Sequence, residues 1–129
     1  LRDYFDASGE RVTLDGVDIA LKPEAAQNLG LALHELAANA ARFGALSAPE
    51  GRLSITWRRR AAEAGEALEI DWCERGGPRV KPRRKKGFGS MVIEGNLSRA
   101  LNATVDLTFD PEGLQCKVVI PASQILVPG

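Results

Sequence analysis

The stretch Leu33-His34-Glu35-Leu36-Ala37-Ala38-Asn39-Ala40-Ala41-Arg42-Phe43-Gly44-Ala45-Leu46-Ser47 decides how this chain is read. Ala and Leu lose little side-chain freedom in a helix, and Gly44 supplies a stop. Upstream, Lys22-Pro23-Glu24 suits a helix start, since proline's missing N–H costs nothing in the first turn. A helix is therefore predicted from about residue 23 to Phe43. On a helical wheel Leu29, Leu33, Leu36, Ala40 and Phe43 share an apolar face, while Leu31, Glu35, Asn39 and Arg42 share a polar one. Glu35 and Asn39, one turn apart, point the same way.

Working outward, the period changes from helix to strand. Arg11-Val12-Thr13-Leu14 and Val17-Asp18-Ile19-Ala20-Leu21 alternate across Asp15-Gly16, a hairpin signal. After the helix, Arg52-Leu53-Ser54-Ile55-Thr56-Trp57 alternates as a strand, and residues 61–66 form a connection rich in Ala, Glu and Gly. Ala67-Leu68-Glu69-Ile70-Asp71-Trp72-Cys73-Glu74 alternates again and runs into Arg75-Gly76-Gly77-Pro78. Gly87-Phe88-Gly89-Ser90 opens a second helix through about Leu101. Ala103 to Phe109 and Leu114 to Ile120 form a hairpin around Asp110-Pro111-Glu112-Gly113. Strands in one layer and two helices able to cover one face predict an α+β fold, a two-layer α/β sandwich.

Composition bounds the function classes. At 129 residues and 44% hydrophobic content one domain with a real core is expected. No apolar run approaches the roughly 18 to 20 residues of a membrane span, and the start lacks the pattern of a targeting segment, so a cytoplasmic domain without membrane contact is expected. Two cysteines and one histidine are too few for a disulfide scaffold, a zinc site or a two-histidine metal motif. The 17 basic and 17 acidic residues cancel, yet the charge is uneven. Residues 1–50 hold four basic and eight acidic side chains, whereas residues 79–86 hold six basic and no acidic ones. With Pro78, Pro82 and Gly87 around it, that cationic segment reads as a loop. No aromatic residue lies within it to stack bases, so a nucleic-acid partner is not expected.

Three groups of residues carry possible chemistry. Glu35, Asn39 and Arg42 place a carboxylate, an amide and a guanidinium on one stripe, suited respectively to proton handling, hard Mg²⁺ and phosphate; alone, such a stripe is most often just solvated. Glu74 at a strand end beside Gly76 and Gly77 can accept a hydrogen bond from a base's amino group where the backbone allows a flat ligand close approach; alone, it is most often a turn. Gly87-Phe88-Gly89-Ser90 offers helix N-terminal amides to an anion directly after six cations, although a hinge explains a lone Gly-x-Gly about as well. It is neither a P-loop nor a dinucleotide fingerprint.

In this order the three resemble the N, G1 and G2 boxes of the HWE family of histidine kinases, whose naming residues appear as His34, Trp72 and Glu74. The resemblance covers essentially the whole chain, including Pro111-Glu112-Gly113-Leu114 and Ile120-Pro121. It implies the Bergerat (GHKL) fold, a mixed sheet covered on one face by helices, with ATP between the helices and a lid. Carried onto matching positions, it implies Mg²⁺ coordination by Asn39, assistance to phosphoryl transfer by Glu35 and phosphate contact by Arg42, where the wider superfamily usually has Lys. Glu74 takes the place of the adenine-binding Asp, with Gly76 and Gly77 beside the base. Lys86, Gly87, Phe88, Gly89 and Ser90 admit the phosphates to the second helix, and residues 78–86 become a short lid whose cations face the nucleotide. Met91 stands where Arg commonly follows the G2 glycines, and Asn102-Ala103 replaces a frequent glycine pair.

The resemblance further implies that residues 1–129 are one catalytic domain cut from a longer kinase, with cofactors ATP and Mg²⁺. The phosphoacceptor histidine belongs to a separate dimerisation domain, and a response regulator receiver domain is the downstream partner. His34 is not expected to be the acceptor; orienting Glu35 or touching the lid fits its position better. Trp72 also reads as a core anchor, in register with Leu68 and Ile70. The competing expectation is a degenerate scaffold that docks a response regulator without binding ATP. An anti-sigma-type serine kinase of the same fold is disfavoured by the Trp-x-Glu-x-Gly-Gly-Pro box.

Overall fold

The computed structural model describes residues 12–62, 65–78 and 90–127. Among the described residues five strands form one mixed sheet in the order β1-β2-β3-β5-β4. They are β1 (Val12–Gly16), β2 (Arg52–Ala62), β3 (Gly65–Arg75), β4 (Thr104–Asp110) and β5 (Gly113–Pro121). β1 runs parallel to β2, and the β2–β3, β3–β5 and β4–β5 pairs are antiparallel. The helices are α1 (Pro23–Arg42), α2 (Ser90–Leu101) and the single turn α3 (Ala122–Ile125). This is the α+β sandwich expected, with helices over one face of the sheet.

Strand alternation explains the layering. Register places Leu14, Ile55, Trp72, Cys116 and Leu107 in one lateral row, and Gly16, Trp57, Ile70, Val118 and Val105 in the next. Both rows meet Leu29, Leu33 and Leu36 of α1 and Leu97 and Leu101 of α2 in a single core. Burying a Leu or Ile side chain contributes about 1.5–3 kcal/mol, so these two rows supply most of the force that closes the sandwich. The opposite face of the sheet is polar: Asp15, Thr56, Asp71, Lys117 and Asp106 form one row across all five strands. On this face Glu69 accepts a hydrogen bond from Arg58 Nε at 2.8 Å and lies 3.4 Å from Arg60 Nε. That hydrogen bond holds the Glu69 carboxyl below its ordinary range, whereas burial, with the Glu69 charge nearby, raises Asp71.

Several sequence expectations need correction. Asp15-Gly16 is no hairpin turn, because β1 continues through Gly16 and residues 17–20 form no strand. A Cβ at Gly16 would stand 2.2 Å from the Trp57 indole, so glycine is there to admit the ring. Trp57 Nε1 then donates to the Val17 carbonyl at 2.7 Å, fixing an exit path that a hairpin could not use. Residues 61–66 are mostly strand: β2 reaches Ala62 and β3 begins at Gly65. Phe43 is 48% exposed instead of buried, since the chain leaves helical geometry there, at φ −126 and ψ −18. Asn39, expected on a polar stripe, is only 2% exposed. The start of α1 is stitched to the far end of the chain, with Lys22 N donating to Ile125 O at 2.7 Å and Val127 N to Ala20 O at 2.8 Å.

Candidate functional site

The predicted residues on α1 occupy its C-terminal half. Leu31 is 60% exposed and His34 and Arg42 are exposed, whereas Glu35 is half-buried and Asn39 is buried. The stripe therefore slopes from solvent into the fold, and its amide lies deepest. Among the described residues no hydrogen bond is seen between the His34 and Glu35 side chains. The helix ends tightly. Phe43 N and Gly44 N both donate to Asn39 O, at 2.8 and 3.2 Å, and Gly44 N also reaches Ala40 O at 3.1 Å. A 3-10 turn, Ala45–Ser47, follows at once, with Ser47 Oγ donating to Gly44 O at 2.6 Å.

Glu74 is the penultimate residue of β3, on the helix-facing side directly opposite Leu53 of β2, and is completely buried. Alternation dictates this: Leu68, Ile70, Trp72 and Glu74 share one face. A carboxylate without solvent needs donors, and it has them. Trp72 Nε1 donates to Oε2 at 2.9 Å, and the backbone N–H of Ala45 donates to Oε1 at 3.0 Å. The tryptophan is thus a core anchor, as the alternation suggested, and also a direct partner of Glu74.

Glycines let the helix end and the strand end close on each other. A Cβ on Gly77 would stand 2.5 Å from Ala45 Cα, and one on Gly51 would stand 1.5 Å from Ala45 O. Gly76 has φ +76 and a Cβ there would lie 2.8 Å from Glu50 O, so its position requires glycine twice over. The structure therefore brings Ala45, Glu74, Gly51, Gly76 and Gly77 into one junction between the turn after α1 and the end of β3, with Asn39 one helical turn back along α1, joined to it through the Asn39 carbonyl and Gly44 N. Lys86, Gly87, Phe88 and Gly89 lie outside the described residues, as does the cationic segment 79–86; Ser90 is the first residue of α2.

Two surface clefts, of about 380 and 190 Å³, open on the polar face of the sheet around Asp71, and Glu35, Asn39, Arg42 and Glu74 line neither. Sequence reasoning missed the Arg58–Glu69–Arg60 cluster there. The register of β2 on β3, which pairs Arg58 with Glu69, is the signal that could have found it. It also missed the Ala45 amide, because a backbone donor in a tight turn leaves no mark in residue type.

Among known proteins, no family model matches the chain. The chain is 40% identical over 127 residues to blue-light-activated histidine kinase 1 of Erythrobacter litoralis (strain HTCC2594), covering 96% of this chain and 34% of that protein. It is 37% identical over 113 residues to a blue-light-activated histidine kinase of Rhizobium johnstonii, covering 88% of this chain and 32% of that one. It thus spans about a third of the length of these curated relatives. Among solved structures, the histidine kinase domain of the Erythrobacter litoralis EL346 blue-light activated histidine kinase superposes with a TM-score of 0.66 at 20% identity, over 88% of this chain and 55% of that one. The likeness in structure is one of fold; the likeness in sequence extends along nearly the whole chain.

Proposed function

We propose that this chain, which shares the fold of histidine kinase catalytic domains and is 40% identical over 127 residues to a blue-light-activated histidine kinase, is a catalytic domain of the HWE family of histidine kinases that binds Mg²⁺-ATP and transfers the γ-phosphoryl group to a histidine on a separate dimerisation domain. The observation that carries the proposal is the stripe on α1 that pairs a half-buried carboxylate, Glu35, with a buried amide, Asn39, on a helix whose following turn closes on the β3 end at Glu74 and Gly77. An acid, a hard neutral oxygen donor and a glycine-lined strand end are what a nucleotide with its metal requires.

The donor chemistry fits Mg²⁺. Mg²⁺ takes hard oxygen donors and is commonly held by one or two protein groups together with substrate phosphates. Asn39 would supply one such oxygen. When bound there, Mg²⁺ would neutralise phosphate charge. Glu35, four residues earlier on the same stripe, would hold or accept the proton of the attacking imidazole N–H. Arg42, exposed at the helix end, would bring its guanidinium to the phosphates. Glu74, Gly76 and Gly77 would form the base end, while Lys86, Gly87, Phe88, Gly89 and Ser90 would admit the phosphates to the start of α2. Such a site works by positioning and charge neutralisation. In the full system the dimerisation domain supplies the acceptor and a receiver domain takes the phosphoryl group onward, in the cytoplasm.

The test is phosphoryl transfer in trans. With Mg²⁺ and γ-labelled ATP, the 129-residue chain should place acid-labile phosphate on a supplied dimerisation domain and none on itself. Label on His34, or no transfer despite bound nucleotide, would contradict the assignment.

A further inference from the structure

Glu74 and Asn39 stand at the two ends of the proposed nucleotide site, and one buried carboxylate links the elements that carry them. From Trp72 Nε1 the path runs 2.9 Å to Glu74 Oε2, then from Glu74 Oε1 3.0 Å to Ala45 N. Ala45 adjoins Gly44, whose N–H donates to Asn39 O. Any displacement of Ala45 is therefore felt in the last turn of α1, where Asn39 and Arg42 sit. The surroundings leave no slack: Gly77 and Gly51 admit Ala45 without room for a Cβ, and a Cβ on Gly113 would stand 1.8 Å from Glu74 O.

We propose that Trp72 is a positioning residue for the nucleotide site: its indole N–H fixes the Glu74 carboxylate so that Glu74 clasps the Ala45 amide and sets the spacing between the base end on β3 and the phosphate end on α1. The proposal rests on the nucleotide reading above. It explains why the acid here is Glu. From a backbone position fixed opposite Leu53, an Asp would end one C–C bond sooner, about 1.5 Å short, and its carboxylate could not span to Ala45 while meeting the indole. A carboxylate that only reads the base from the strand end gains nothing from the extra methylene. A clasp requires it.

Hydrogen bonds to a buried carboxylate are directional and poorly replaced by water, so their loss should be visible in binding as well as in stability. Trp72→Phe keeps the ring and removes the donor; Glu74→Asp keeps the charge and shortens the reach. Each should weaken binding of a fluorescent ATP analogue with Mg²⁺ about tenfold, at a temperature where the variant is fully folded by circular dichroism. A role confined to stability would lower the melting temperature and leave that affinity unchanged. Affinities within twofold of the parent for both variants would overturn the clasp and leave the nucleotide site standing. No saturable binding by the parent chain would overturn both. Should either variant fail to fold, the parent chain decides. The Trp72 indole and Ala45 amide protons should be protected from exchange and shift together in NMR spectra as nucleotide is added, and the absence of a shift at either would overturn the proposal.

Discussion

Replacing Gly77 by Ala adds one methyl group at the point where the end of β3 meets the turn after α1. That methyl would lie 2.5 Å from Ala45 Cα, 2.9 Å from Ala45 N and 3.0 Å from the Gly44 carbonyl carbon. Carbon atoms in contact sit about 3.5–4.0 Å apart, and all three neighbours are backbone, so the turn must retreat by about 1 Å. The Ala45 N to Glu74 Oε1 distance, now 3.0 Å, would then open to about 4 Å, past hydrogen-bonding range. Loss of that bond costs about 1.5–3 kcal/mol and the crowding itself about 1–3 kcal/mol, giving a total near 4 kcal/mol. Gly65→Ala is the reference: with φ +115 and nothing within 4 Å of its Cβ, it should cost only about 1 kcal/mol of backbone strain. Urea unfolding followed by tryptophan fluorescence measures both. If Gly77→Ala is no more destabilising than Gly65→Ala, the close junction between α1 and β3 is wrong.

Other outcomes can be checked in the same assay. Gly95→Ala should stabilise the chain by about 0.5–1 kcal/mol, because the position is inside α2 and, among the described residues, its Cβ would meet the far end of the long Arg99 side chain at 3.4 Å and no backbone atom beyond its own helix. Asn39→Ala should cost about 1–3 kcal/mol in addition to nucleotide affinity, because the amide is buried; a purely exposed stripe would show no stability loss. The Arg58 hydrogen bond holds Glu69 below its ordinary 4.5, so the charged carboxylate stabilises the fold above pH 4.5 and that contribution is lost as pH falls through the depressed value. Glu69→Gln should accordingly flatten the acid side of the stability profile between the two pKa values, and an unchanged slope would remove Glu69 from the account.

The long helix, the α+β class and the strands carrying Trp57, Trp72 and Leu114 were legible because each follows a single period. Alternation also placed Trp72 beside Leu68 and Ile70. Continued by one step it puts Glu74 in the core, a consequence that its charge hides from a reading by residue type. The wheel assigned Asn39 to the polar side; α1 is covered by two partners, the sheet and α2, so its buried arc is wider than one apolar stripe. Asp15-Gly16 has the composition of a turn, but tertiary contact with Trp57 decided its role. The Ala45 amide is a backbone group, and Arg58–Glu69 depends on register between strands, which no single segment specifies. What remained illegible was thus contact between elements, whereas the elements themselves were largely written in the sequence.

The central claim is that the α1–β3 junction is a nucleotide site completed by Mg²⁺. Calorimetric titration of the 129-residue chain with a non-hydrolysable ATP analogue, with Mg²⁺ and then with excess chelator, tests it most directly. The account predicts saturable one-to-one binding that weakens at least tenfold without Mg²⁺ and loses that dependence in Asn39→Ala. Binding that is absent, or indifferent to both Mg²⁺ and Asn39, would contradict it.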